Sequence, residues 1–131
     1  MEDALAALDR APYLSLATFR RTGDAVPTPV WFAREADQLY VFSEADAGKV
    51  KRLRNSPRAR VAACSVRGRV HGDWIDAEAR IVSDPAVEER AYAALKRKYG
   101  WQMTLVDFFS RLSGRIDHRA VISIECSGPR S

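Results

Sequence analysis

The chain has 131 residues, a formal net charge of +4 and 47% hydrophobic residues. That length fits one domain over residues 1–131, able to bury roughly two-thirds of the surface its unfolded chain exposes, and the composition excludes a disordered chain. No apolar run approaches the ~20 residues of a membrane span, and the acidic start MEDALAALDR lacks the basic start and long apolar stretch of a signal peptide, so a cytoplasmic protein away from membranes is expected.

Residues 2–10 read as a short helix, with Leu5 and Leu8 at i, i+3. PYLSLATF (12–19) alternates and carries aromatic and β-favouring residues, so it reads as a strand. RRTGDA (20–25) is a polar turn. VPTPVWFAR (26–34) reads as one strand although it holds Pro27 and Pro29. Neither proline has an N–H for a sheet ladder, and at i and i+2 they silence the same edge. READQ makes the next turn and LYVFS (39–43) the next strand.

Asp46 is placed to cap a short helix through AGKVKRLRNSP, closed by Pro57. RARVAACSV (58–66) and WIDAEARIVS (74–83) read as strands on either side of the turn RGRVHGD. Asp84-Pro85 starts a helix, with Asp as N-cap and Pro at N1, that runs to about Tyr99. WQMTLVDFFSRLS reads as a second helix ended by Gly114. HRAVISIEC (118–126) is the last strand, and 127–131 a tail. About six short strands, mostly hairpin-linked, with few helices, indicate a mainly β domain: a small antiparallel barrel with helices packed on it.

Few residues carry obvious chemistry. Cys64 and Cys126 belong to no metal-ligand spacing and read as buried free thiols, and no metal site is expected. No Ser-His-Asp set and no GxGxxG fingerprint is present, so no catalytic residue can be named. His71 reads as a solvated turn residue and His118 as the opening of a strand. Asp76 and Glu78 share an exposed strand face.

Two segments stand out. In DAGKVKRLRNSP, Lys49 and Arg52 share one helix face and Lys51 and Arg54 the neighbouring one, while Val50 and Leu53 point to the core. Cations near a helix N-terminus are mildly unfavourable. A phosphate resolves the conflict, because free N–H groups and basic side chains converge on it, and Gly48 lets the backbone approach. The alternative is a solvated basic face. The proline strand leaves one edge unpaired, with room for something flat against the backbone. The alternative there is an edge strand protected from aggregation.

Taken together, PTPVWF, GKVKRLRNSPRARVAAC and KRKYGWQ resemble the pyridoxamine 5′-phosphate oxidase-like superfamily, and more closely its actinobacterial flavin/deazaflavin branch that uses coenzyme F420. The resemblance spans roughly residues 10–125. It implies a six-stranded split β-barrel of the FMN-binding type and a homodimer with cofactor sites at the interface. It also implies that Thr28, Pro29, Val30 and Trp31 line the cofactor ring. Ser43, Ala47, Gly48 and Lys49 would lead to the cofactor phosphate, with Lys51 and Arg52 as its cation partners and Trp101 closing the site from the other subunit. The function so implied is an oxidoreductase, an F420H2-dependent reductase, passing a hydride from reduced F420 to an unsaturated or conjugated small-molecule acceptor. An FMN-dependent oxidase or reductase is the alternative. A non-catalytic cofactor carrier and a basic nucleic-acid-binding module rank below it. The module would need aromatics interleaved with a broad cationic surface, whereas these cations cluster on one helix, so no nucleic-acid partner is expected.

Overall fold

The computed structural model describes residues 2–44, 47–100 and 119–129. The expected helix over 101–113, Trp101, Asp46 and His118 lie outside them. The element order is α1 (Glu2–Asp9), β1 (Tyr13–Phe19), β2 (Ala25–Val30), β3 (Phe32–Glu35), β4 (Gln38–Glu44), α2 (Gly48–Asn55), β5 (Arg58–Cys64), β6 (Ile75–Val82), α3 (Pro85–Tyr99) and β7 (Arg119–Pro129).

All seven strands form one antiparallel sheet in the order β2-β1-β5-β6-β7-β4-β3. Its two edge strands, β2 and β3, are consecutive in the chain, with only Trp31 between them. Two residue steps span at most about 7 Å, so the two edges of the sheet must come together there. The sheet therefore curls into a barrel whose seam lies at Trp31. This is the split β-barrel that the sequence implied, with one difference. The single strand expected over 26–34 is broken at Trp31, because its first half pairs with β1 and its second half with β4, so the strands among the described residues number seven rather than six. At the other end of the chain, β7 continues to Pro129, into the segment expected as a tail.

Strand alternation gives one sheet two apolar faces. Leu14 and Leu16 of β1, Val30 of β2, Leu39 and Val41 of β4, Val61 of β5 and Ile122 and Ile124 of β7 face inward and are buried. Leu5 and Leu8 of α1, and Val50 and Leu53 of α2, complete this core. Residues of the opposite parity, Ala33, Tyr40, Phe42 and Val121, face outward and meet Ala91, Tyr92, Ala94 and Leu95 of α3. The start of α3 is as expected: Asp84 is the N-cap and accepts from the Ala86 N–H at 2.9 Å, with Pro85 in the first turn.

Candidate functional site

The proline strand lies at the sheet edge. Among the described residues its one ladder runs to β1, pairing Val26 with Thr18, Thr28 with Leu16 and Val30 with Leu14. Residues directly opposite each other point to the same face, so Val26, Thr28 and Val30 share the inner face with Leu14 and Leu16. Pro27 and Pro29 are exposed on the outer face, and their missing donors fall on the edge that has no partner strand among the described residues. Thr28 and Trp31 are half-buried, and Val30 is buried. Beside Pro29 lies the turn after β5. Gly68 has φ +85, and a Cβ there would sit 3.7 Å from the Pro29 ring. At the seam, the Trp31 ring stacks on Tyr99 with centroids 4.6 Å apart and planes 14° apart.

The other end of β2 leads to α2. Ser43 is buried near the end of β4, its hydroxyl donating to the Glu44 carbonyl at 3.3 Å. Ala47 occupies the N-cap of α2 and provides no side-chain cap. Its carbonyl accepts from the Val50 and Lys51 amides at 3.1 and 3.2 Å. The Gly48 and Lys49 amides, orphaned by position in any helix, have no acceptor among the described residues.

The four cations of α2 divide as the periodicity indicated: Lys49 and Arg52 are half-buried, and Lys51 and Arg54 are exposed. Arg52 turns back over the first turn of its own helix. Its Nε donates to Thr18 Oγ1 at 2.6 Å, and its Nη1 lies 2.9 Å from where a Cβ on Gly48 would be. The space that Gly48 leaves open is thus taken by the guanidinium rather than left for a ligand. Burial, then the charge of Arg52, lowers the Lys49 pKa, against a smaller opposing effect of Glu44. Burial, then the charge of Arg20, lowers the Arg52 pKa. Three cations, one from the turn after β1 and two from α2, therefore converge within electrostatic reach of one another. None of Lys49, Arg52 and Arg20 forms an ion pair among the described residues. The arginines of β5 differ: Arg58 lies 4.0 Å over the Phe19 ring, and Arg60 approaches Asp76 at 3.3 Å.

Of the residues implied by resemblance, Ala47, Gly48, Lys49 and Arg52 gather at the helix N-terminus. Thr28, Pro29, Val30 and Trp31 follow one another along the barrel edge. Lys51 sits apart on the exposed face. From Val26, which is level with the Arg52 contact on Thr18, to Trp31 is five residues, roughly 16 Å of strand. The two groups thus lie toward opposite ends of one edge strand. Sequence reasoning missed Thr18, Arg20 and Tyr99. Thr18 had a signal, since alternation puts its hydroxyl on the inner face with Leu14 and Leu16. Arg20 had only its place in a polar turn. Outside these groups His71 is exposed, Cys64 and Cys126 are free thiols, the first buried and the second half-buried, and no cluster of metal ligands occurs among the described residues.

A family model described as pyridoxamine 5′-phosphate oxidase matches residues 1–127. The chain belongs to that family. Solved structures support the fold. One is a conserved hypothetical protein from Mycobacterium tuberculosis, 19% identical, TM-score 0.71, with 97% of this chain and 81% of that one covered. A second is an FAD-binding protein from Mesorhizobium loti, 17% identical, TM-score 0.65, covering 96% and 87%. A third is HutZ, the heme storage protein from Vibrio cholerae, 12% identical, TM-score 0.68, covering 99% and 89%. No curated protein matches the chain. The family match and these neighbours place the chain on the split β-barrel fold.

Proposed function

We propose that the chain is an F420-dependent oxidoreductase. The cofactor phosphate is held at the N-terminus of α2, and its ring lies along residues 28–31. The observation that carries this reading is the cluster of Lys49, Arg52 and Arg20, none of them in an ion pair among the described residues, beside two helix amides with no acceptor among those residues. Like charges placed together and half-buried oppose one another, and a bound phosphate turns that repulsion into attraction. The edge strand runs from this anion end to Trp31. Its proline-bearing edge offers no ladder donors at 27 and 29, so a planar group can lie there without competing for backbone pairing. When bound, such a cofactor supplies the hydride chemistry, and the protein supplies position and charge. That division of labour fits the absence of a nucleophile–base pair in the sequence. The acceptor is an unsaturated or conjugated small molecule. The active form is a homodimer in the cytoplasm with cofactor sites at its interface, and neither nucleic acid nor membrane is a partner.

Preference for F420 rests on the likeness of PTPVWF, GKVKRLRNSP and KYGWQ to the deazaflavin branch. FMN is the second reading, favoured by the family match and the FAD-binding neighbour. Parallel titrations with F420 and FMN, followed by fluorescence or calorimetry, test both. Tighter F420 binding is expected. FMN saturation without F420 binding overturns the cofactor choice and leaves the phosphate site standing. Lys49→Ala and Arg52→Ala should each weaken binding roughly 10- to 150-fold, the range for loss of one charge-assisted hydrogen bond, and the affinity should fall as salt rises. Wild-type affinity in both variants would place the phosphate elsewhere. Sedimentation tests the dimer: a monomer at micromolar concentration with full cofactor affinity would exclude an interface site.

A further inference from the structure

The β1–β2 ladder ends at the pair Leu14–Val30. Continued by two places, the same register would set Pro12 opposite Phe32. Pro12 has no N–H, so that pair could share only one bond, from the Phe32 amide to the Pro12 carbonyl. The bond is not made directly. The Phe32 N–H donates to the Tyr99 hydroxyl at 3.0 Å, and the Tyr99 hydroxyl donates to the Pro12 carbonyl at 2.9 Å. A phenol oxygen thus stands where the ladder would have closed. Phe32, released from β1, pairs instead with Val41 of β4. The ring of the same Tyr99 stacks on Trp31, the residue between the two strands.

We infer that Tyr99 is a positioning residue: its hydroxyl wedges the barrel open at the seam, and its ring sets the angle of Trp31 for packing against the cofactor ring. The inference rests on the proposed placement of that ring along residues 28–31. Tyr99 is itself well held. It closes α3, where Gly100 follows with φ +58 and its amide returns to the Lys96 carbonyl at 2.8 Å. The neighbouring Lys98 ammonium sits 3.3 Å over the Phe32 ring. Burial pushes the Tyr99 phenol up to about 12, so it stays protonated and keeps donating to Pro12 at any working pH. The wedge meets the demand that buried backbone groups find partners, while leaving Trp31 out of either strand and free to take its direction from the stack.

A double-mutant cycle on cofactor affinity tests this, with F420 and FMN as probes and melting temperature read alongside. Tyr99→Leu should weaken binding about three- to tenfold in the presence of Trp31, the scale of one aromatic pair. In a Trp31→Leu background the same change should cost less than twofold. Tyr99→Phe keeps the stack and loses both hydrogen bonds. It should lower the melting temperature yet hold affinity within about twofold of wild type. If Tyr99→Leu does not fold, Tyr99→Met, which fills the space with a flexible chain, takes its place in the cycle. Equal losses from Tyr99→Leu in both backgrounds overturn the inference alone. Unchanged affinity in Trp31→Leu, or no binding of either cofactor by the wild type, removes the ring placement and the inference with it.

Discussion

Lys98 offers the sharpest test of the energetics at the seam. Its Nζ is buried without a hydrogen-bond partner among the described residues, 3.9 Å from Asp9 Oδ1 and 3.3 Å over the Phe32 ring, and its side chain is only 17% exposed. Burial brings its pKa down from 10.5 to about 8, and the charge of Asp9 acts the other way. A depressed lysine pKa means that the unfolded chain binds the extra proton between about pH 8 and 10.5. Stability should therefore rise with pH across that window and be flat below it. Each pH unit of displacement corresponds to about 1.4 kcal/mol, so the charged ammonium costs about 3 kcal/mol at pH 7. The contact with Phe32 returns ~0.5–2 kcal/mol of this. Lys98→Met keeps the length of the chain and removes the charge. It should gain about 1–2 kcal/mol at pH 7 and lose the rise between pH 8 and 10. Urea denaturation at pH 7, 8, 9 and 10 measures both effects. Lys98→Met is the reference at each pH, because Cys126, raised to about 11, contributes the opposite slope from about pH 9 in both proteins, and the comparison stops at pH 10 because Tyr99, raised to about 12, adds a further one above it. A wild type with no rise above pH 8 relative to Lys98→Met, or a Lys98→Met variant less stable at pH 7, refutes the assignment of a buried charge whose burial outweighs its partners.

Gly48→Ala should separate binding from folding. The new Cβ meets Arg52 Nη1 at 2.9 Å and displaces the guanidinium, so cofactor affinity should fall about tenfold, the cost of one weakened charged contact. Helix propensity gains up to ~1 kcal/mol from the same change, and thermal melts should show no loss of stability. Replacing Pro27 and Pro29 together with valine restores two donors to the free edge of β2; light scattering should then show concentration-dependent association beyond the parent's dimer. Asp84→Ala removes the cap on Ala86 and should cost about 1 kcal/mol in chemical denaturation, with cofactor binding unchanged.

Much of the fold was legible because it follows from local rules. Alternation in YLSLATF and RARVAAC, the Asp84-Pro85 start of α3 and the two faces of α2 each state their structure within a few residues. The break at Trp31 was not legible, because VPTPVWFAR carries good strand residues on both sides of it. What divides the segment is the choice of two different neighbours, β1 and β4, and partner choice is a property of the whole sheet. The candidate site divides the same way. Lys49 and Arg52 announce themselves by spacing on one helix. Arg20 and Thr18 join them only because β1 packs beneath α2, a contact 34 positions long in sequence for Arg52 and Thr18.

The two prolines and Tyr99 now appear as solutions to one problem. A sheet that curls until its first and last strands meet has two edges with unpaired backbone groups at the same place. Closing them with a ladder would seal the barrel and leave no open edge for a ligand. Here one edge is silenced covalently, since Pro27 and Pro29 have no donors to leave unpaired. On the other edge, the Phe32 amide is capped by a side chain from α3. The seam thus leaves no donor unpaired at Pro27, Pro29 or Phe32 without being closed. Trp31 occupies that gap, with Arg52 and Lys49 toward the far end of β2, so the edge of this barrel is free to be a binding surface because its hydrogen-bonding demands are met by other means.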